Sequence, residues 1–257
     1  MGGRFFAIDT PDRVCISVAT RLPEFAPRQQ AGMPNRRQLL RYALGLGAAT
    51  VAFVPPVALY RAQYIHAKRF REVEPGRLYR SGQMTAAGFR ETIGRYHIKT
   101  VVNLQHEQPD PLLPDHWLGT GKVRESELCA QLGVKYVLIT PDILPPGNTL
   151  TDVPPAVPEW LALLDDEDNY PILLHCKAGL HRTGRLTAIY RMEYHGWSPG
   201  EALRELRANG YGYVAASEGD EFIIQFVQNY KPRTKIERAV VGAAGHVAGA
   251  VNAGGRP

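Results

Sequence analysis

The chain has 257 residues, 44% hydrophobic and 21% charged, which suffices for one domain of ordinary size plus tails. Its net charge of +5 is unevenly spread: residues 1–75 carry 11 basic and 5 acidic side chains, residues 231–257 carry 5 and 1, and residues 76–230 carry 14 and 19. The basic excess therefore sits in the tails and speaks against a nucleic-acid-binding domain. Three cysteines (Cys15, Cys129 and Cys176) exclude a disulfide framework and show no metal-ligand spacing.

Residues 1–32 show neither periodicity nor a motif, and Met33 would serve as a start. Arg36, Arg37 and Arg41 close a basic leader over 1–41, and Tyr42 to Tyr60 follow without a charge. As a helix that uncharged run spans about 28 Å, close to the hydrocarbon thickness of a bilayer. Pro55 and Pro56 should kink or end it. No small-residue cleavage site follows, so an uncleaved anchor is expected over 42–60, although the segment from Asn35 to Arg41 also resembles a twin-arginine export signal. An early single anchor keeps its N-terminus inside, which puts the catalytic domain outside the cytoplasm.

A linker over 61–75 should lead to the globular part, 76–231. Arg77–Gly82 reads as a short strand and turn. Thr85 is a candidate N-cap for a helix over 86–95, and 98–104 is a strand rich in β-branched residues. Three prolines mark 106–120 as loop; a helix over 122–132, a strand over 134–139 and a Pro-rich loop over 140–156 follow. A helix near 157–166 precedes the apolar run 170–174, and the segment from Leu186 to Tyr194 spaces its apolar side chains like a helix. Ser198-Pro199-Gly200-Glu201 is a capping box with proline at the first helical position, opening a helix to Ala208. Phe222, Ile223, Phe226 and Val227 give a last helix one apolar face, and 232–257 is expected to be a disordered tail. His97, His195, Cys129, Tyr79, Tyr136 and Tyr213 are read as packing or surface residues. Strands alternating with helices predict an α/β fold, with a mostly parallel central sheet and helices on both faces. Ligands of such sheets bind beyond the carboxyl ends of the strands.

At one of those ends stands HCKAGLHRTG, from His175 to Gly184. A strand, a glycine-bearing loop and a helix start make an anion site, because successive N–H groups face inward and the helix dipole adds positive potential. That potential favours the thiolate of Cys176, the form in which a cysteine is nucleophilic. Arg182, five residues beyond, can hold two phosphoryl oxygens with its planar fork. Thr183 offers a hydroxyl to the departing sulfur, and Gly179 permits a backbone conformation closed to other residues.

The loop resembles the signature of the cysteine-dependent protein tyrosine phosphatase superfamily, H-C-x-x-G-x-x-R-[ST]-G. Its first half, HCKAGL, is similar to the cell-cycle dual-specificity enzymes, and HRTG to the atypical plant, fungal and bacterial branch. Leu78-Tyr79-Arg80-Ser81-Gly82-Gln83 also resembles the opening segment of the atypical branch. The resemblance implies a tyrosine-phosphatase-like fold and a metal-free, cofactor-independent phosphomonoesterase acting through a phosphocysteine. Its substrates would be phosphorylated proteins or small phosphomonoesters. It implies that His175 orients the loop, and that Lys177, Ala178, Gly179, Leu180 and His181 meet the substrate. It also requires an aspartate on a loop after an earlier strand as general acid. Asp142 in Thr140-Pro141-Asp142 fits, resembling the tryptophan-proline-aspartate turn without its tryptophan, and Asp152 is the alternative. Leu180 stands where tensin-like phosphoinositide phosphatases carry lysine. An inositol phosphate or phosphoinositide phosphatase and a silent phosphate-binding module remain as other readings.

Overall fold

The computed structural model describes residues 35–116, 119, 121–140, 153–212 and 218–234; Asp142, Asp152, Cys15, Tyr213 and most of the expected tail lie outside the described residues. The chain divides between Ala49 and Thr50 into two units. Helix α1 (Arg36–Arg61) crosses that division, and none of its residues is buried. It passes through Pro55 and Pro56 and does not end at them. Proline's fixed φ is itself helical, so the local loss is two N–H donors and not the course of the backbone. A π-helical turn, Ala62–His66, continues it. The stretch Arg36–His66 is long and apolar enough to cross a membrane.

The second unit is built on a five-stranded sheet. The strands are β1 (Arg71–Glu74), β2 (Leu78–Gly82), β3 (Thr100–Asn103), β6 (Lys135–Leu138) and β7 (Ile172–Cys176), in the order β1-β2-β7-β3-β6. Only β1 runs antiparallel, to β2; the other pairings are parallel. Alternation along the strands sorts side chains into two cores. Leu78, Val102, Ile172 and Leu174 face α4 (Ala156–Asp165), α5 (His181–Tyr194), α6 (Pro199–Ala208) and α7 (Glu218–Asn229). Tyr79, Val101 and Leu173 face α2 (Ala86–Tyr96) and α3 (Glu125–Gln131). All five residues of β7 are buried, as a central parallel strand covered on both faces requires. Fully buried Trp160 of α4 donates its indole N–H to the Leu186 carbonyl at 3.0 Å, tying two helices of one layer together.

Two caps form as the residue types dictate. Thr85 accepts from the Gly88 amide at 3.1 Å, and Ser198 and Glu201 make the reciprocal box at α6. Elsewhere the structure departs from the expected elements. Residues 112–114 and 122–124 are strands β4 and β5, paired antiparallel, so the loop expected over 106–120 carries half of a hairpin and α3 starts three residues later than predicted. Strand β1 occupies part of the expected linker, because its backbone completes the sheet edge beside β2. At the other end Arg233, expected in the tail, pairs with Asp165 at 2.6 Å and with buried Glu193 at 3.1 Å.

Candidate active site

The site forms where β7 ends. His175 and Cys176 are in register with Ser81 and Gly82 of β2, and Asn103 of β3 is in register with His175, so three parallel strands deliver their carboxyl ends to one place. The chain then turns through Lys177–Leu180 into α5, whose first amides lack intrahelical partners. The expected helix from Leu186 therefore begins five residues earlier, directly on the loop.

Gly179 makes the turn. Its φ is +75°, and a Cβ there would lie 2.5 Å from the Gly82 nitrogen and 2.6 Å from the Ser81 carbonyl group. Its N–H donates to the Cys176 sulfur at 3.2 Å, and that sulfur's residue is 3% exposed. Two guanidinium groups hold the loop carbonyls on the opposite side. Arg69 Nη1 donates to Ala178 O at 3.0 Å and Arg80 Nη2 donates to Gly179 O at 2.8 Å. In a trans peptide the following N–H points opposite to the carbonyl, so these two arginines aim the Gly179 and Leu180 amides toward the sulfur side.

Positive charge surrounds the thiol. Arg80 is buried, and burial lowers it to about 10, opposed by attraction to Glu205 and Cys176. Lys68 is half-buried, its stem against Gly82. Burial lowers its ammonium first, then Arg69; Cys176 acts in the opposite direction. Arg182, in the first turn of α5, sets two nitrogens on the Glu107 carboxylate and donates from Nη1 to Leu104 O at 3.3 Å. Hydrogen bonding to Arg182 holds the Glu107 carboxyl down at about 2. Among the described residues, Arg182 Nε and the second Nη2 hydrogen keep no partner, and they form one edge of the guanidinium, suited to two oxygens of a phosphoryl group. Thr183 is fully buried in the same turn, and its hydroxyl has no partner among the described residues.

His175 differs from expectation in its contact. Its Nε2 meets Glu125 Oε1 of α3 at 2.7 Å, both side chains being fully buried, and Phe89 stands edge-on at 5.3 Å. The ring thus ties the end of β7 to the start of α3; no bond from it to the loop is present among the described residues. Lys177 is exposed, Leu180 is buried, and His181 packs edge-on against Tyr211. Asp142 and Asp152 lie outside the described residues. The described chain stops at Thr140, after Ile139, whose amide donates to Asn103 O at 3.0 Å, at the same sheet end as Cys176. Sequence reasoning missed Lys68, Arg69, Arg80, Glu107 and Glu125. The usable signals were the basic run before β1 and a carboxylate four residues after β3.

A buried cysteine in an amide-and-cation cradle at the end of a parallel strand, with an arginine in the next helical turn, is the arrangement of the cysteine-based tyrosine phosphatase-like family. Residues 64–243 match the tyrosine phosphatase family, and the chain belongs to that family. The dual specificity protein phosphatase TpbA of Pseudomonas aeruginosa is 45% identical over 42 residues, which are 16% of this chain and 19% of that protein. The chain thus aligns with only about a fifth of that relative's length. The tyrosine-protein phosphatase-like protein OCA2 of Saccharomyces cerevisiae is 28% identical over 164 residues, covering 64% of this chain and 73% of its own. The catalytic core of Siw14 shares the fold with a TM-score of 0.51 at 21% identity, over 72% of this chain and 95% of that one.

Proposed function

We propose that the chain is a metal-free phosphomonoesterase of the protein tyrosine or dual-specificity type, working through a phosphocysteine. The observation that carries the reading is the Gly179 N–H on the Cys176 sulfur, with the cations of Lys68 and Arg80 close enough to act on its charge. The sulfur attacks phosphorus and the ester P–O bond breaks. Arg182 and the loop amides hold the three equatorial oxygens, while Asp142 gives its proton to the leaving oxygen. Water then attacks the phosphocysteine, the carboxylate of Asp142 takes its proton, and the P–S bond breaks as the Thr183 hydroxyl donates to the sulfur. His175 holds β7 against α3 through Glu125.

The test is hydrolysis of para-nitrophenyl phosphate in EDTA. Activity that disappears in Cys176→Ser supports the enzyme. A Cys176→Ser protein that binds phosphate beside a wild type that never hydrolyses supports a silent binding module. A second reading, an inositol phosphate or phosphoinositide substrate, draws on Lys68 and Arg69 at the loop. The Siw14 core of the same fold belongs to a PP-IP phosphatase. The apolar helix is proposed to anchor the chain with the catalytic domain outside the cytoplasm. Survival of the domain when intact cells are treated with protease would sink that topology.

A further inference from the structure

The Gly179 N–H that reaches the Cys176 sulfur belongs to the peptide unit joining Ala178 to Gly179, and the carbonyl of that same unit is the one Arg69 holds. Two bonds thus leave opposite edges of one planar group, the guanidinium on Ala178 O at 3.0 Å and the Gly179 N–H on Sγ at 3.2 Å. A cation on the carbonyl oxygen draws electrons out of the amide and makes its N–H a stronger donor, because each bond in a chain polarises the next. Arg80 does not act in this way. It holds the following carbonyl, Gly179 O, whose peptide carries the Leu180 N–H, and among the described residues the sulfur accepts from Gly179 and not from Leu180.

Arg69 is fixed in place from its own backbone. Its N–H donates to Gln63 O at 2.9 Å, the Phe70 N–H donates to Ala67 O at 2.8 Å, and Lys68 O accepts the Gly82 N–H at 2.7 Å. Its φ is +51°, a left-handed conformation that glycine or asparagine adopts more readily. The position nevertheless carries a guanidinium, set 5.4 Å over the Tyr64 ring. No carboxylate pairs with Arg69 among the described residues, so its charge is left to the loop carbonyl.

We propose that Arg69 is a positioning residue of the catalytic centre, acting on the Cys176 thiolate through the Ala178–Gly179 peptide. It keeps that N–H turned toward the sulfur and strengthens it as a donor to negative charge there. The consequence for turnover rests on the phosphatase reading above, whereas the contact with the sulfur exists before any substrate binds. Lys68 and Arg80 also act on the sulfur's charge, and Lys177 stands near Lys68, so Arg69 supplies one part of the stabilisation.

Alkylation of Cys176 by iodoacetamide, a neutral reagent, tests this without turnover. Labelling is followed by mass spectrometry over a series of pH values, on the full chain in detergent. Cys129 reports the fold: it is fully buried, burial pushes its thiol up to about 12, and it stays unlabelled while the core is closed. Arg69→Gly deletes the guanidinium and meets the positive φ without strain; Arg69→Asn replaces it should the glycine variant fail to fold. The alkylation midpoint should rise by about one pH unit, and kcat/KM for para-nitrophenyl phosphate should fall about tenfold, the scale of one charge-assisted hydrogen bond. Arg71→Ala removes a nearby cation whose Nη1 donates to Asn209 Oδ1 at 2.7 Å and not to the loop, and it should leave both readings unchanged. A wild-type midpoint in the Arg69 variant, with Cys129 still protected, overturns the proposal. An equal rise in Arg71→Ala overturns it too, because surrounding charge and not the shared peptide would then be the cause. A wild type that hydrolyses no phosphomonoester, with the midpoint shift intact, overturns the phosphatase reading and leaves the action of Arg69 on the sulfur standing.

Discussion

At Gly179 two independent constraints meet: a positive φ, and strand backbone within 2.6 Å of any Cβ. Neither Ser81 nor Gly82 can retreat, because they lie in a central parallel pairing with His175 and Cys176. Gly179→Ala should therefore cost about 2 kcal/mol or more in a denaturant titration and abolish turnover; an alanine protein of wild-type midpoint would contradict this geometry. Glu107 invites a test with pH. Its carboxyl is held below its unfolded value of about 4.3, at about 2, by Arg182. Its attraction for Arg182 is thus fully present above pH ~4 and is lost only as pH falls through about 2. Any fall in activity between pH 4 and 7 would therefore come from a group other than Glu107. Glu107→Gln should lower kcat/KM for para-nitrophenyl phosphate about tenfold without moving that limb. Asp142→Asn should instead slow turnover by ~10²–10⁴ and remove the fall in kcat as pH rises past the acid. Should Asp152→Asn do so, the acid has been misassigned.

The signature loop was legible because its pattern is local: ten consecutive residues carry the cysteine, the turn and the arginine. What supports it was not, because the partners meet only in the folded chain. Arg69 is 109 residues from Ala178, Arg80 is 99 from Gly179, Arg182 is 75 from Glu107 and His175 is 50 from Glu125. The local pattern announced β7 as a short apolar run, β3 by its β-branched residues and β2 as a strand and turn, all buried along their length. It failed at β4 and β5, three residues each, where Pro114 and an adjoining helical pattern masked the pairing. Glu125 opens α3 and shows what this distance conceals. Its carboxylate is the only hydrogen-bond partner of the buried His175 ring among the described residues. Glu125→Ala should cost about 3 kcal/mol in urea, and Glu125→Gln, which can still accept from Nε2, should recover most of it. Equal losses in both variants would mean that packing, not the bond, holds β7 to α3.

For the whole molecule the question is where the catalytic unit begins. Sequence reading drew the boundary at residue 76, after a linker. The structure places β1, Lys68 and Arg69 before that boundary, and each has a task within the second unit. Strand β1 covers the β2 edge, Lys68 O accepts the Gly82 amide at 2.7 Å, and Arg69 pins the Ala178 carbonyl. Two truncations separate the views. A chain starting at Arg61 loses the apolar helix but keeps every one of these contacts. It should leave the membrane fraction and keep a kcat for para-nitrophenyl phosphate within about twofold of the full chain, since surface changes away from such contacts have small effects. A chain starting at Gly76 exposes an unpaired edge on β2 and removes both cations from the loop. It should aggregate or turn over at least about a hundredfold more slowly, the scale of losing a preorganised donor at the transition state. Equal activity of the two would mean that residues 61–75 are a linker after all, and that the cations they carry have no part in holding the cradle around Cys176.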